Sequence, residues 1–334
     1  MAVDVEEARA AGERAMRLSA DLPDEAMGFK VLGILPNLSD VYAKSGAQAA
    51  ALEAATQAYR LLQEAEQGDG AFLIDLDTRI GIRDVYAKRL ADAGCTADAV
   101  AVVRDAVAFA ALPTSGAVSA TPAHTLVHLA NMLGDLGDPG GARAAADEAV
   151  QVLERLSVHD PEWANEELPT ALYTQAKILW EAGDAEAAWP VLERAIALNR
   201  HRVARDPRGG MADLAAALEF SAVVANRAGD VDHAMAQIGE AVEYYEKLVD
   251  ECGEGFAFDL ANGLHNAAMI AMTSNDVSAA VAMQQRAADL LEGMAEKDAN
   301  GQKLAADSLV NLGLYHAMAG QVDDGLAAVD RIPA

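Results

Sequence analysis

Cysteine is nearly absent from this 334-residue sequence: Cys95 and Cys252 are far apart and share no motif. That excludes a disulfide framework and makes a reducing compartment the expectation. Basic residues are also scarce, 25 Lys plus Arg against 52 Asp plus Glu, for a formal charge of −27. Such a surface repels phosphate backbones and anionic lipid, so neither nucleic acid nor a membrane is an expected partner. The acidity itself reads as solubility; sharper readings are an acidic groove that attracts basic peptides, or a mimic of nucleic acid. No run reaches the roughly 18 uncharged apolar residues of a membrane span, and even AVAVVRDAVAFAAL is broken by Arg104 and Asp105. The opening MAVDVEEARAAGERAM carries acids where a secretory signal needs a basic region and an apolar core. The expected location is therefore cytoplasmic.

Aromatic residues make up only 5% of the chain, while 52% is hydrophobic and Ala dominates that fraction. This composition folds, and it leans helical, because Ala has the highest helix propensity and lets helix backbones approach closely. Self-similarity then organises the chain. Turn-like segments recur around Gly46, Gly94, Gly137, Gly183, Gly229, Asn275 and Gly320, at intervals of 48, 43, 46, 46, 46 and 45 residues. Gly and Asn tolerate the left-handed conformation that ends a helix, and the Asp that often follows can cap the next. Each anchor therefore marks the tight turn of a helical hairpin.

Flanking positions repeat with it. Seven residues before each anchor stand Ser39, Ala87, Ala130, Ala176, Ala222, Ala268 and Gly313; five after stand Ala51, Ala99, Ala142, Ala188, Ala234, Ala280 and Gly325. Twelve after come Ala58, Ala106, Ala149, Ala195, Ala241 and Ala287, with Ile332 the departure. Small residues are needed where two helices cross closely. Eleven before each anchor is Leu35, Leu126, Leu172, Leu218, Leu264 or Leu309, with Arg83 the exception, which gives an apolar seam at helical spacing.

This pattern of small and large residues about a Gly-Asp turn resembles the tetratricopeptide repeat over residues 27–332. The period of about 46 residues exceeds the usual 34, so longer helices are expected, as in the extended repeats of kinesin light chains; arrays in actinobacterial signalling proteins look similar in style. The resemblance implies an all-α fold, a right-handed α-α superhelix of about seven hairpins forming one solenoid over 1–334. Residues 1–20 would be a cap or a truncated repeat, since Asp4 to Ser19 reads as a second helix lacking its first. Gly- or Pro-bearing segments, EQGDG, LPTSGAVSATP, HDPEWANEELP, DPRGG, DECGEG and DANGQ, are expected to link the units.

In such arrays the first helices line the concave surface. The candidate partner-binding residues there are His124, His128 and Asn131; Tyr173, Lys177 and Trp180; Asn226 and Arg227, beside Glu219 and Phe220; Asn262, His265 and Asn266; and Asn311. Asn amides both donate and accept, so a ladder of them can hold an extended peptide. The family's clamp for carboxylate tails needs several cations, and only Lys177 and Arg227 stand near this face. His124 and His128, four apart, could grip a metal, but no third ligand is evident. The arginines of NRHRVARDPR offset a helix C-terminus or form a docking patch; Met269, Met272, Met283 and Met294 suit core filling. No phosphate loop, dinucleotide turn, nucleophile elbow or metalloprotease signature occurs. The expectation is a non-enzymatic protein- or peptide-binding scaffold without cofactor or metal, with self-association through the solenoid ends as a further partner mode. The alternatives are a ligand-sensing regulatory array of a larger signalling protein, an enzyme on a helical solenoid with Tyr173, Lys177 and Trp180 in its pocket, or the acidic mimic.

Overall fold

A computed structural model of the chain describes Ala10, Arg14 and residues 34–67, 74, 76–110, 121–135, 137–158, 161–295 and 299–332. The expected N-terminal helix from Asp4 to Ser19 lies almost wholly outside these, as do parts of the first linkers. The described residues form helices and turns, grouped into two compact units, 1–164 and 165–334.

The first unit holds three hairpins. They are α1 (Leu35–Lys44) with α2 (Gln48–Gln67), α3 (Leu76–Asp92) with α4 (Thr96–Ala110), and α5 (Thr121–Asp135) with α6 (Pro139–Ser157). The second unit, entered through the first turn of α7, holds four. These are α7 (Pro161–Glu181) with α8 (Ala185–Arg205), α9 (Pro207–Ala228) with α10 (Val231–Cys252), α11 (Ala257–Thr273) with α12 (Val277–Ala295), and α13 (Ala299–Met318) with α14 (Val322–Asp330).

Each hairpin turns on its anchor. All six glycines have φ between 72° and 85°, and Asn275 has φ 62°, the one non-glycine described with a positive value. The residue after the anchor donates its N–H to a carbonyl five residues back, as Asp184 does to Leu179 and Asp276 to Ala271, which satisfies carbonyls the helix end would leave open. Asp138, Asp184, Asp230 and Asp276 then cap the second helix, each carboxylate accepting the N–H three residues on, at 2.9–3.2 Å.

The small residues lie at the crossings. Every residue in the first two series, and every Ala of the third, is buried, Ile332 alone being half-exposed. At the first crossing the Ser39 hydroxyl donates to the Ala51 carbonyl at 2.9 Å. At the last, a Cβ on Gly313 would meet the Gly325 carbonyl at 3.1 Å, so glycine is required on both sides. The Leu seam is sealed, from Leu35 (1% exposed) to Leu309 (0%); full burial of such a side chain stabilises by about 1.5–3 kcal/mol. Arg83, the exception in that seam, is also buried. It forms a two-pronged pair with Glu66 on α2 (2.8 and 3.1 Å) and reaches Asp105 on α4 at 3.1 Å.

Two expectations change. The linkers are shorter than their Gly and Pro content suggests, because Pro161 and Pro207 begin helices instead of ending them, the missing N–H costing nothing at a first helical position. Gly209 and Gly210 are therefore helical, as is most of PEWANEELP, with Pro169 inside α7. The methionines also divide: Met272 and Met283 pack against buried clusters, whereas Met269 is 41% exposed.

Candidate functional site

All twelve candidate residues stand on the first helices of their hairpins. Within the first unit α1 lies against α3 and α3 against α5; within the second, α9 lies against α11. First helices therefore share one face in each unit, and helical spacing points every third or fourth residue along it.

On the first unit, His124 and His128 are exposed and Asn131 is half-buried. The His128 Nδ1 lies 3.9 Å from Oδ2 of Asp84 on α3, while Asp84 Oδ1 is buried with no hydrogen-bond partner. Burial raises the Asp84 carboxyl above the usual range, and the two imidazoles pull it back when charged. Among the described residues no group of three His, Cys, Asp or Glu side chains is arranged to hold a metal.

The second unit carries the denser arrangement. Glu219, 8% exposed on α9, accepts three hydrogen bonds. The Asn262 and Asn266 amides on α11 both donate to Oε1 at 2.6 Å, and the Tyr245 hydroxyl on α10 donates to Oε2 at 2.9 Å. Burial raises the Glu219 carboxyl, against the three donors that favour its charged form and with the negative Asp259 acting in the same upward direction as burial. Burial, and after it the neighbouring Glu219 carboxylate, likewise hold the Tyr245 phenol well above its ordinary value.

Asp84 and Glu219 occupy the same place in their hairpins, ten residues before the turn. His124 with His128, and Asn262 with Asn266, stand thirteen and nine residues before the next turn. One register thus sets a carboxylate against a pair of polar side chains twice, imidazoles in one unit and amides in the other.

Beside the Glu219 cluster lies an aromatic group. The Phe220 ring meets Tyr173 edge-on at 5.7 Å and Trp180 at 6.3 Å, and the Arg227 guanidinium sits 5.3 Å from the Trp180 ring centre. Trp180, Arg227, Trp189, Glu181, Glu186 and Val224 line a groove of about 610 Å³. On the other side, a smaller hollow of about 140 Å³ is lined by Phe258, Asn262, His265, Asp307 and Asn311 among others. His265 is engaged with Gln284 (3.0 Å) and Lys177 with Glu181 (3.8 Å), while Asn226 Oδ1 is buried without a partner. Asn262, which is exposed, and Asn266, which is half-buried, thus each spend an amide N–H on the Glu219 carboxylate.

Two arginines of the arginine-rich segment are engaged within the protein. Arg202 binds Glu166, Asp213, Asn199 and the Gly209 carbonyl, and Arg200 binds Glu240. Sequence reasoning overlooked Asp84, Trp189, Phe258, Asp307 and Tyr245. Tyr245 had a signal: sixteen residues after a turn, Leu62, Leu153 and Leu291 fill the core elsewhere, so a polar tip at that place needs a buried partner.

No protein-family model matches the sequence, and no curated protein matches it. Solved structures do share its fold. BtubC (BKLC) from P. vanneervenii aligns at TM-score 0.60 and 17% identity, over 73% of this chain and 90% of that one. Aspartyl phosphate phosphatase F from Bacillus subtilis aligns at 0.59 and 13%, over 95% and 73%. The nearly identical TPR-like repeats of a Podosopora anserina putative kinesin light chain align at 0.52 and 15%, over 67% and 100%. With every repeated turn and crossing in place, the chain has the all-α, tetratricopeptide-like repeat fold that its sequence resembles.

Proposed function

We propose that the chain is a non-catalytic scaffold that holds an extended segment of a partner protein along the first-helix face of residues 165–334. The supporting observation is the run of chemistry along that face. An aromatic group (Tyr173, Phe220, Trp180 with Arg227) stands beside amides held by a buried carboxylate (Asn262, Asn266), followed by His265 and Asn311 at a hollow. Four first helices about 9–10 Å apart span about 30 Å, which is roughly nine residues of extended chain at about 3.3 Å each. Aromatic rings take an apolar side chain at one end, and amides and imidazole meet backbone groups further along. His124, His128 and Asn131 offer a second patch on the other unit. The excess of carboxylates favours a basic segment and disfavours nucleic acid and acidic tails. Glu219 is committed to three internal donors, which suits a support for the amides rather than a general base.

The test is selection of nine- to twelve-residue peptides by display, followed by fluorescence anisotropy on the full chain. Trp180→Ala and Asn311→Ala should each weaken binding about five-fold or more, in line with loss of a central contact, with helicity unchanged. Selected peptides whose affinity ignores both substitutions would remove the first-helix face from consideration.

A further inference from the structure

The hydrogen bonds around the smaller hollow, which α11, α12 and α13 line, have a fixed direction. Gln284 on α12, 0% exposed, donates from its amide nitrogen to the Ser308 carbonyl (3.1 Å) and hydroxyl (2.7 Å) on α13. A carbonyl only accepts, so the nitrogen end of Gln284 stays on Ser308 and its oxygen end faces Nδ1 of His265, 3.0 Å away. That oxygen cannot donate, so Nδ1 carries the proton of the neutral imidazole and Nε2 keeps a lone pair. Glu219 sets Asn262 in the same manner. Its carboxylate takes the Asn262 nitrogen at 2.6 Å and turns the Asn262 oxygen away from itself.

Asn262 and His265 share this hollow of about 140 Å³ with Asp307, Asn311 and Phe258. Asp307 is exposed and pairs with no cation among the described residues, not even Lys303 one turn earlier on α13. Asn311 can turn either end of its amide to a ligand. The groups whose polarity is set are therefore an amide oxygen, an imidazole lone pair and a carboxylate, beside Phe258, which is 41% exposed. Three acceptors, a negative charge and an aromatic face call for a cationic donor.

We propose that this hollow takes the ammonium of a lysine side chain, with Asp307, the Asn262 oxygen and Nε2 of His265 as acceptors for its N–H groups. A lysine tip is compact enough for so small a space, whereas an arginine brings a wider planar fork that needs acceptors in its own plane. The apolar stem of the lysine can lie on the Phe258 ring. An uncharged apolar side chain in its place would cover two acceptors without a donor for either. The inference rests on the reading of this face as the holder of a partner segment, and it gives that segment one required side chain. The charge of −27 draws a basic segment towards the chain. Gln284 and Glu219 are positioning residues: neither lines the hollow, and each orients a group that does.

Nitrogen NMR of the histidine side chains, on the full chain at about pH 8, reads both halves of this; there an imidazole is neutral and a lysine charged. Before any ligand is added, His265, assigned from the signal lost in His265→Gln, should carry its proton on Nδ1. N-acetyl-lysine methylamide should then shift the His265 Nε2 signal in a saturable way at millimolar concentrations, on the order of −4 kcal/mol for a 1 mM Kd. N-acetyl-norleucine methylamide, with a similar stem and no charge, should leave it in place, and the arginine analogue should bind at least several-fold more weakly. Asp307→Asn should weaken the lysine response at least five-fold with helicity unchanged. Asp98→Asn, which removes the same charge at an exposed site of the other unit, should leave it intact. A proton on Nε2, no response to lysine, an equal response to norleucine, a stronger one to arginine, or indifference to Asp307→Asn would each overturn the proposal. The display peptides separate it from the reading it rests on. Peptides that need Trp180 but no lysine remove the hollow and keep the face; a lysine response with no peptide held keeps the hollow and removes the segment.

Discussion

Replacing Glu219 separates the two forces acting on its carboxylate. In Glu219→Ala the Tyr245 hydroxyl, on a residue 4% exposed, loses its acceptor. An unsatisfied buried hydroxyl costs about 1–3 kcal/mol. The amides of Asn262, exposed, and Asn266, half-buried, can turn to water and add less. Relief of burying a charge offsets part of the loss, so Glu219→Ala should destabilise by about 2–3 kcal/mol. Glu219→Gln keeps an oxygen for the two amides and presents an amino group to Tyr245, whose hydroxyl can turn to accept from it; it should cost about 1 kcal/mol or less. The pH dependence carries the sign. Burial raises the folded-state pKa of Glu219, so the folded chain binds that proton at a higher pH than the unfolded chain does. Wild type should gain stability relative to Glu219→Gln as pH falls from neutral through the raised pKa, levelling off below the ordinary Glu value of about 4.3. Urea unfolding followed by circular dichroism at several pH values measures both effects. If wild type instead loses ground to the Gln variant as pH falls, the three hydrogen bonds outweigh burial and the reasoning fails. A double-mutant cycle with Tyr245→Phe should return a coupling of about 1–2 kcal/mol; simple additivity would contradict the network.

Two further predictions address the scaffold. Gly229→Ala places a side chain at φ 85° and should cost about 1–2 kcal/mol, whereas Asn275→Gly at φ 62° should be neutral or slightly stabilising, both read from thermal melts. Arg83→Leu restores the residue usual at that place but leaves Glu66, whose side chain is 17% exposed, without its cation; a loss of about 1–3 kcal/mol is expected in urea, recovered in good part by adding Glu66→Gln.

The repeat was legible because its determinants are local. A turn that needs positive φ selects Gly or Asn, and a crossing that needs close approach selects Ala; both leave a mark at fixed spacing, and all seven turns and their crossings could be placed. Helix starts were harder to read, since Pro161 and Pro207 look like breakers and act as first residues. The face was half legible. Register placed Asn262, Asn266, Trp180, Phe220 and Glu219 on the first helices, but not the hydrogen bonds by which both amides donate into the Glu219 carboxylate. That contact joins residues more than 40 positions apart, and only packing of one hairpin on the next decides it. Tyr245 was missed for the same reason.

The alanine crossings have a consequence for assembly order. Any of these hairpins offers its neighbour much the same smooth seat, so small residues alone would let repeats stack in the wrong sequence. The exceptions supply the addresses. Arg83 needs Glu66 behind it, Glu219 needs the Asn262–Asn266 pair ahead, and Gln284 needs Ser308. A hairpin seated beside the wrong neighbour strands one of these groups in a dry joint, a penalty no alanine can impose. Near-identical modules are thereby kept in a single file by a few polar residues, one joint at a time.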